Sequence, residues 1–230
     1  MAVRTSPAGE HALPGWVRTR EGTDPGTVHL TVIDPSAVTA AAARQCCEHL
    51  ARAGYHLAIT NAMGPRDAEA LLGAGFAVRE RLDLLARSLD AVPAPTGRSH
   101  RARRLGPIVA LDQLAFAERG FDRAALLDAR DATPAARMRV CGRPAEPTGY
   151  AITGVAGWRA YVQRLAVDPD ARRQGTARTL LFDGLHWARR RGARTAVVNT
   201  HADNTPARAL YESAGFVALP DGLHVLERAL

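Results

Sequence analysis

Apolar and polar residues alternate with different periods along the 230-residue chain, and each change of period marks an element. In "TARTLLFDGLHWARRRG", Ala177, Leu180, Leu181, Leu185 and Ala188 recur at i, i+3, i+4, i+8 and i+11, one face of a helix. Arg189 to Arg191 suit its negative end and Gly192 is placed to cap it. "VALDQLAFAERG" (109–120) and "DRAALLDAR" (122–130) have the same helical spacing. "ARMRV" (136–140), "GYAITGV" (149–155), "AYVQRLAV" (160–167) and "TAVVNT" (195–200) read as strands. "TPARALYESAG" predicts a helix with Thr205 as N-cap, Pro206 at N1 and Gly215 as the stop. "FVALPDGLHVLERAL" predicts a hairpin turning at Asp221 and Gly222.

Residues 1–26 carry Pro, Gly and charge without a period and predict an irregular arm. "DAVPAPTG" (90–97) predicts a linker, which divides the chain into domains 1–95 and 96–230. The first part repeats half of the second. "LTVIDP" (30–35) parallels "LAVDP" (165–169), Gly54 to Asn61 parallels Gly192 to Asn199, and Gly75-Phe76 parallels Gly215-Phe216. Both copies follow strand, helix, strand, helix, strand. Pro35 to Gly54 is 19 positions where Pro169 to Gly192 is 23, so the first copy lacks about one turn where the second has "ARRQG". The first copy is therefore not expected to bind whatever that loop binds.

A 47% apolar content is enough for a core, and no run approaches the length of a spanning helix. Three cysteines give neither a disulfide framework nor metal-ligand spacing, so a reducing cytoplasm and no metal are expected. The net charge of +7 would ordinarily suggest nucleic acid. Every basic residue is Arg and none is Lys, however, which reads as compositional bias rather than a designed basic face. "RSHRARR" (98–104), without interleaved aromatics, reads as a solvated strand or linker. Cys46 and Cys47 fall with Ala43 and Leu50 at helical spacing and read as core.

The chemistry concentrates in "RRQGTA" (172–177), which joins a strand to a helix start. Free amides converge there, the dipole end is positive, Gly175 allows close approach and Arg172 and Arg173 add charge; a pyrophosphate fits. In isolation such a stretch is as readily a solvated turn. "LAVDPDARRQGTARTLL" followed by "NTHADNTPARALYESAGF" (199–216) nevertheless resembles the GNAT (GCN5-related N-acetyltransferase) superfamily, and in particular its ribosomal-protein alanine acetyltransferase branch. The shared features are Arg or Gln, two residues, Gly, one residue and Gly or Ala, then Asn, two residues, Ala, three residues, Tyr and a terminal Gly-Phe.

The resemblance implies an α/β (α+β) fold: a mixed, mostly antiparallel central sheet flanked by helices, over 98–230, preceded by a partial, degenerate copy. It implies an acetyl-CoA-dependent N-acetyltransferase in which a primary amine attacks directly within a ternary complex. Leu165, Ala166 and Val167 would pair with pantetheine and polarise the thioester. Arg172, Arg173, Gln174, Gly175, Thr176 and Ala177 would hold the pyrophosphate. Asn204 would contact the pantetheine arm, and Tyr211 would act as the acid near sulfur. The partners implied are acetyl-CoA and an amine acceptor, either a protein or peptide N-terminus or a small molecule such as an antibiotic or polyamine. Neither nucleic acid nor membrane is expected, and a homodimer is left open.

"AYVQRLAV" departs from the many relatives that place a Glu on this strand, since it offers only Gln163 and Arg164. That keeps open a non-catalytic acetyl-CoA sensor, and it favours amines of low pKa; His201 is a candidate relay or an ordinary loop residue. The segments expected to line an acceptor groove, about 112–130, 201–203 and 219–224, carry no selective signature.

Overall fold

A computed structural model describes residues 13–22 and 24–230. Its strands and helices in chain order are β1 (Val17–Glu21), β2 (Thr27–Val32), α1 (Ala40–Arg52), β3 (Leu57–Thr60), α2 (Pro65–Leu72), β4 (Ala77–Ser88), β5 (His100–Arg101), α3 (Gly106–Phe116) and α4 (Arg123–Asp131). There follow β6 (Ala135–Arg143), β7 (Glu146–Ala156), β8 (Arg159–Val167), α5 (Thr176–Arg190), β9 (Thr195–His201), α6 (Thr205–Ser213), β10 (Val217–Ala218) and β11 (Leu223–Ala229). No helix among the described residues is long and apolar enough to cross a membrane.

The chain forms two compact units, one running as far as Asp83 and completed by Pro220–Leu230, the other comprising Leu84–Leu219. The division expected at residue 95 therefore lies elsewhere. Residues 90–97 are irregular, as their Pro and Gly content requires, but the change of packing partners comes earlier, inside the continuous strand β4.

In the first unit β2 and β3 are parallel, β1 lies antiparallel to β2, and β11 lies antiparallel both to β3 and to the Ala77–Leu82 part of β4. β1 corrects the expectation of an irregular arm over residues 1–26; residues 1–12 and 23 of that arm lie outside the described residues. Its signal is hidden because only Trp16 and Val17 supply buried apolar surface, while the charged remainder forms an exposed edge. The hairpin expected over 216–230 is also absent: β10 pairs with Leu85 and Ala86 of β4, whereas β11 closes the first unit's sheet. Leu226 of β11 is fully buried in that unit's core with Val28, Leu30, Ala58 and Leu71. Cys46 and Cys47 face the same core, and burial pushes the Cys46 thiol up to about 11, consistent with packing rather than reactivity.

In the second unit the strand order is β9-β8-β7-β6-β5, antiparallel throughout except for the parallel pair β8 and β9. The period of two along β7 sorts its side chains between two layers. Tyr150 and Ile152 join the core under α3 and α4, while Ala151 and Val155 face the α5 side.

The internal repeat is visible in both units. β2-α1-β3-α2-β4 and β8-α5-β9-α6-β10 have the same order, each with a parallel first pair. After the first strand of each, an aspartate closes a 3-10 turn: Asp34 accepts from the Ser36 N–H at 3.2 Å and Asp168 from the Asp170 N–H at 2.9 Å. The missing four residues are shared between loop and helix: Pro35 precedes α1 by five positions and Pro169 precedes α5 by seven, and the helices have 13 and 15 residues.

Candidate functional site

The site begins where β8 and β9 part. Their parallel ladder pairs Arg159, Ala160 and Tyr161 with Thr195, Ala196 and Val197 and then stops, although β8 continues to Val167 and β9 to His201. A register shift against β7 between Ile152 and Thr153 leaves Gln163 as the bulged residue, which bends β8 at that point. Beyond the bulge, the Asp168 N–H donates to Thr148 O at 3.0 Å. Alternation along an antiparallel ladder then makes Ala166 and Arg164 the hydrogen-bonded partners of β7. The N–H and C=O groups of Leu165 and Val167 consequently point to the opposite edge, into the gap.

The "ARRQG" loop follows. Arg172 is extended, Arg173 has φ 60° and Gly175 has φ 79°, so the chain turns twice through the left-handed region before α5 starts. A side chain at Arg173 makes that conformation strained, a feature that concentrates at functional sites. Gly175 is the N-cap of α5 and offers no side-chain hydrogen bond, whereas α1, α4 and α6 are capped by Thr39, Asp122 and Asn204. The first α5 amide to find a helical partner is that of Thr179, which donates to Gly175 O at 2.9 Å. Among the described residues the amides of Thr176, Ala177 and Arg178 are left open at the positive end of a 15-residue helix. A side chain at Gly175 would meet nothing within 4 Å, so the surroundings of the N-cap position are open. Close packing holds the helix start in place: Thr176 Cγ2 lies 2.6 Å from where a Cβ on Gly149 of β7 would be, an approach only glycine permits.

The first copy is closed at both corresponding places. Thr39 Oγ1 accepts from the Ala42 N–H at 3.1 Å, capping α1. Asn61 continues the β2–β3 ladder, donating its own N–H to Leu30 O at 2.9 Å while its Oδ1 accepts from the Val32 N–H at 2.8 Å.

α6 brings two further residues. The N-cap is Asn204, not Thr205 as expected: Asn204 Oδ1 accepts from the Ala207 N–H at 3.3 Å, leaving Pro206 in the first turn. The Asn204 Nδ2 group donates no hydrogen bond among the described residues. Tyr211 is 5% exposed and packs 5.6 Å from Phe216, in the same core cluster that Leu165 flanks. Burial raises its pKa, so the hydroxyl stays protonated. His201 ends β9 and is half-buried.

Sequence reading missed Asp112. This carboxylate on α3 is fully buried and receives Arg164 Nε and Nη2 at 2.8 Å each, the Tyr150 hydroxyl and the Phe121 N–H. The Arg164 guanidinium lies between the Phe116 and Phe121 rings, at 3.6 and 3.7 Å from their centroids, and donates to Arg119 O. The one available signal was a lone aspartate at an otherwise apolar helical position. Arg164 is thereby committed to anchoring the α3–α4 connection and is not available as a base. Burial and the neighbouring Asp112 both raise the Tyr150 pKa, keeping that hydroxyl a donor. Gln163 reaches Thr133 Oγ1 at 3.5 Å, and its buried Oε1 has no hydrogen-bond partner among the described residues.

Comparison with known proteins places this geometry. The chain is 42% identical over 100 residues to mycothiol acetyltransferase of Clavibacter sepedonicus, covering 44% of this chain and 29% of that protein. It is 43% identical over 67 residues to ribosomal protein bS18 alanine N-acetyltransferase of Escherichia coli (strain K12), covering 29% of this chain and 45% of that protein. The chain thus matches less than half the length of either. Among solved structures, a tandem GNAT protein from the clavulanic acid biosynthesis pathway superposes with a TM-score of 0.66 at 15% identity, over 93% of this chain and 78% of that one, a likeness of fold. The sequence model of the acetyltransferase (GNAT) family matches residues 107–216, which include the β8–β9 gap, the open start of α5, Asn204 and Tyr211. That segment is therefore similar to GNAT-family domains.

Proposed function

We propose that the Leu84–Leu219 unit is an acetyl-CoA-dependent N-acetyltransferase whose acceptor is an α-amine at a protein N-terminus. The observation that carries this reading is the uncapped start of α5 beside the opened edge of β8. The residues fit the carrier: amides of Thr176, Ala177 and Arg178, flanked by Arg172, Arg173 and Gln174, suit a diphosphate. Leu165 and Val167 present a strand edge suited to the amides of a pantetheine arm, with Ala166 holding that strand to β7. Asn204 Nδ2 is a donor for the same arm. Acetyl-CoA supplies the activated acetyl group and a thiolate leaving group.

The protein's part is then alignment and hydrogen bonding. Holding amine and thioester together contributes roughly 7 to 11 kcal/mol. An N–H from the free edge of β8 polarises the acetyl oxygen. Tyr211, with its pKa raised by burial, does not surrender its proton easily and acts by donating a hydrogen bond towards the sulfur as charge develops there. The amine must lose a proton, and β8 provides no carboxylate to take it. Deprotonating a lysine-like amine at pH 7 costs about 4.6 kcal/mol against about 1 kcal/mol for an α-amine. Water can accept the proton in the second case, which supports the α-amine reading over side-chain amines.

The same missing carboxylate favours one alternative, a module that binds acetyl-CoA without turnover. Incubation with acetyl-CoA and a library of N-terminal peptides separates the two: free CoA thiol should appear with peptides bearing an unblocked α-amine and not with those blocked there. Turnover confined to small amines would overturn the acceptor class, and none at all would leave only the binding module. On an accepted peptide, Tyr211→Phe is expected to lower kcat by about 10- to 100-fold with little change in acetyl-CoA affinity. Unchanged kcat would remove Tyr211 from the mechanism. The first unit, with Thr39 and Asn61 closing its corresponding positions, is proposed to be a structural copy without a carrier site.

A further inference from the structure

At the β5–β6 edge of the second unit, two strands away from β8, lies a cavity of about 560 Å3 that the acetyl-transfer reading does not use. Arg101, Arg130, Arg137, Arg139 and Arg191 line it. Their convergence is a product of register. Arg101 of β5 lies directly opposite Arg139 of β6, and Arg137 shares the Arg139 face by the period of two. Like charges placed opposite each other destabilise a strand pair, so the arrangement is unfavourable unless something neutralises it.

The protein neutralises only part. Arg137 and Arg139 share the single carboxylate of Asp183, at 3.0 and 3.4 Å, and Arg130 pairs with Asp131 at 2.7 Å. Arg101 and Arg191 have no ion-pair partner among the described residues, and Arg191 instead lies 5.6 Å over the Trp187 ring. Five guanidiniums therefore line one concavity, and only two carboxylates, neither of them part of its lining, pair with any of the five. The remaining wall is apolar, formed by Ala102, Leu105, Met138 and Trp187. A volume in the few-hundred Å3 range with an apolar wall suits a small molecule rather than a polymer. Guanidinium forks match phosphate oxygens in pairs, and about three uncompensated charges call for more than one anionic group.

We propose that this pocket binds a small polyanion carrying two or more linked phosphates on an apolar or aromatic body, of the nucleoside polyphosphate class. Isothermal titration of the full chain with inorganic tripolyphosphate and with a nucleoside triphosphate tests it. Gly175→Glu serves as the parent, to remove any contribution from the start of α5. The parent is expected to bind both probes, the nucleoside triphosphate more tightly. Arg101→Gln combined with Arg191→Gln, both exposed positions, should weaken binding about tenfold or more at an unchanged melting temperature. Asp183→Asn removes the carboxylate that competes for Arg137 and Arg139 and should tighten binding, a gain that misfolding cannot imitate. Failure of the parent to bind either probe at millimolar concentration would overturn the proposal, as would an arginine variant that binds like its parent. Steeply salt-dependent binding of single-stranded RNA without tripolyphosphate binding would overturn it in favour of a nucleic-acid surface.

Discussion

Asp112→Ala is expected to destabilise the second unit by about 3 to 5 kcal/mol, the usual effect of removing one partner from a buried ion pair. The size follows from what is left behind. Arg164, wedged between Phe116 and Phe121, would keep its charge without a counterion, and the Tyr150 hydroxyl and Phe121 N–H would lose their acceptor inside the core. For a unit of this size the corresponding fall in melting temperature is about 10 to 17 °C. Asp112→Asn keeps the shape and part of the hydrogen bonding but not the charge, and should fall between wild type and alanine. Arg164→Met leaves the fully buried Asp112 carboxylate without its counterion and should also be clearly destabilising, and the double substitution should be less destabilising than the sum of the two. A fall of under about 1 kcal/mol for Asp112→Ala, measured by denaturant unfolding monitored on the second unit, would show that the network is not what holds the α3–α4 connection.

This network also shows where sequence reading stops. The α5 face was legible because Leu180, Leu181, Leu185 and Ala188 repeat with the helical period, and the structure buries all four. The gap between β8 and β9 was legible only through the family resemblance. No local pattern says that a parallel ladder ends after Tyr161 or that Gln163 is the bulged residue. Asp112 and Arg164 lie 52 positions apart, and although each is conspicuous in its own segment, nothing local to either pairs them. The position of β11 was hidden for the same reason. "LHVLERAL" looks like the return arm of a hairpin until its partners are known to be β3 and the first part of β4, more than 130 positions back in the chain. Local chemistry could also mislead by a single residue: Thr205 and Asn204 are both good caps, and which one serves depends on where the chain leaves β9.

The repeat carries more information than either copy alone. Asp34 and Asp168 close equivalent turns, and α1 and α5 leave them in the same order. Where the two copies share a scaffold, the differences mark what the scaffold itself does not require. In the first copy Thr39 occupies the helix amides and Asn61 extends the strand ladder; in the second, neither job is done by the chain. A glycine at the N-cap in place of a capping side chain costs a few tenths of a kcal/mol, which a bound anion can offset.

The second large expected effect tests that inference directly. Acetyl-CoA at about 100 times its Kd should stabilise the wild-type chain by about 2.7 kcal/mol, a rise in melting temperature of several degrees. Gly175→Glu should abolish the rise, because it puts a carboxylate on the unobstructed N-cap residue of α5, next to the Thr176, Ala177 and Arg178 amides, where it competes with the diphosphate. The substitution also strains the backbone, since Gly175 has φ 79°, and the strain alone is of order 1 kcal/mol. Gly175→Asn separates the two effects: asparagine tolerates the left-handed region and carries no charge, so most of the acetyl-CoA shift should survive. A Gly175→Glu chain that keeps the full wild-type shift would mean that the carrier's phosphates lie elsewhere. Loss of the shift in both variants would instead assign the effect to loop geometry, with Arg173 at φ 60° as the neighbouring residue that depends on it.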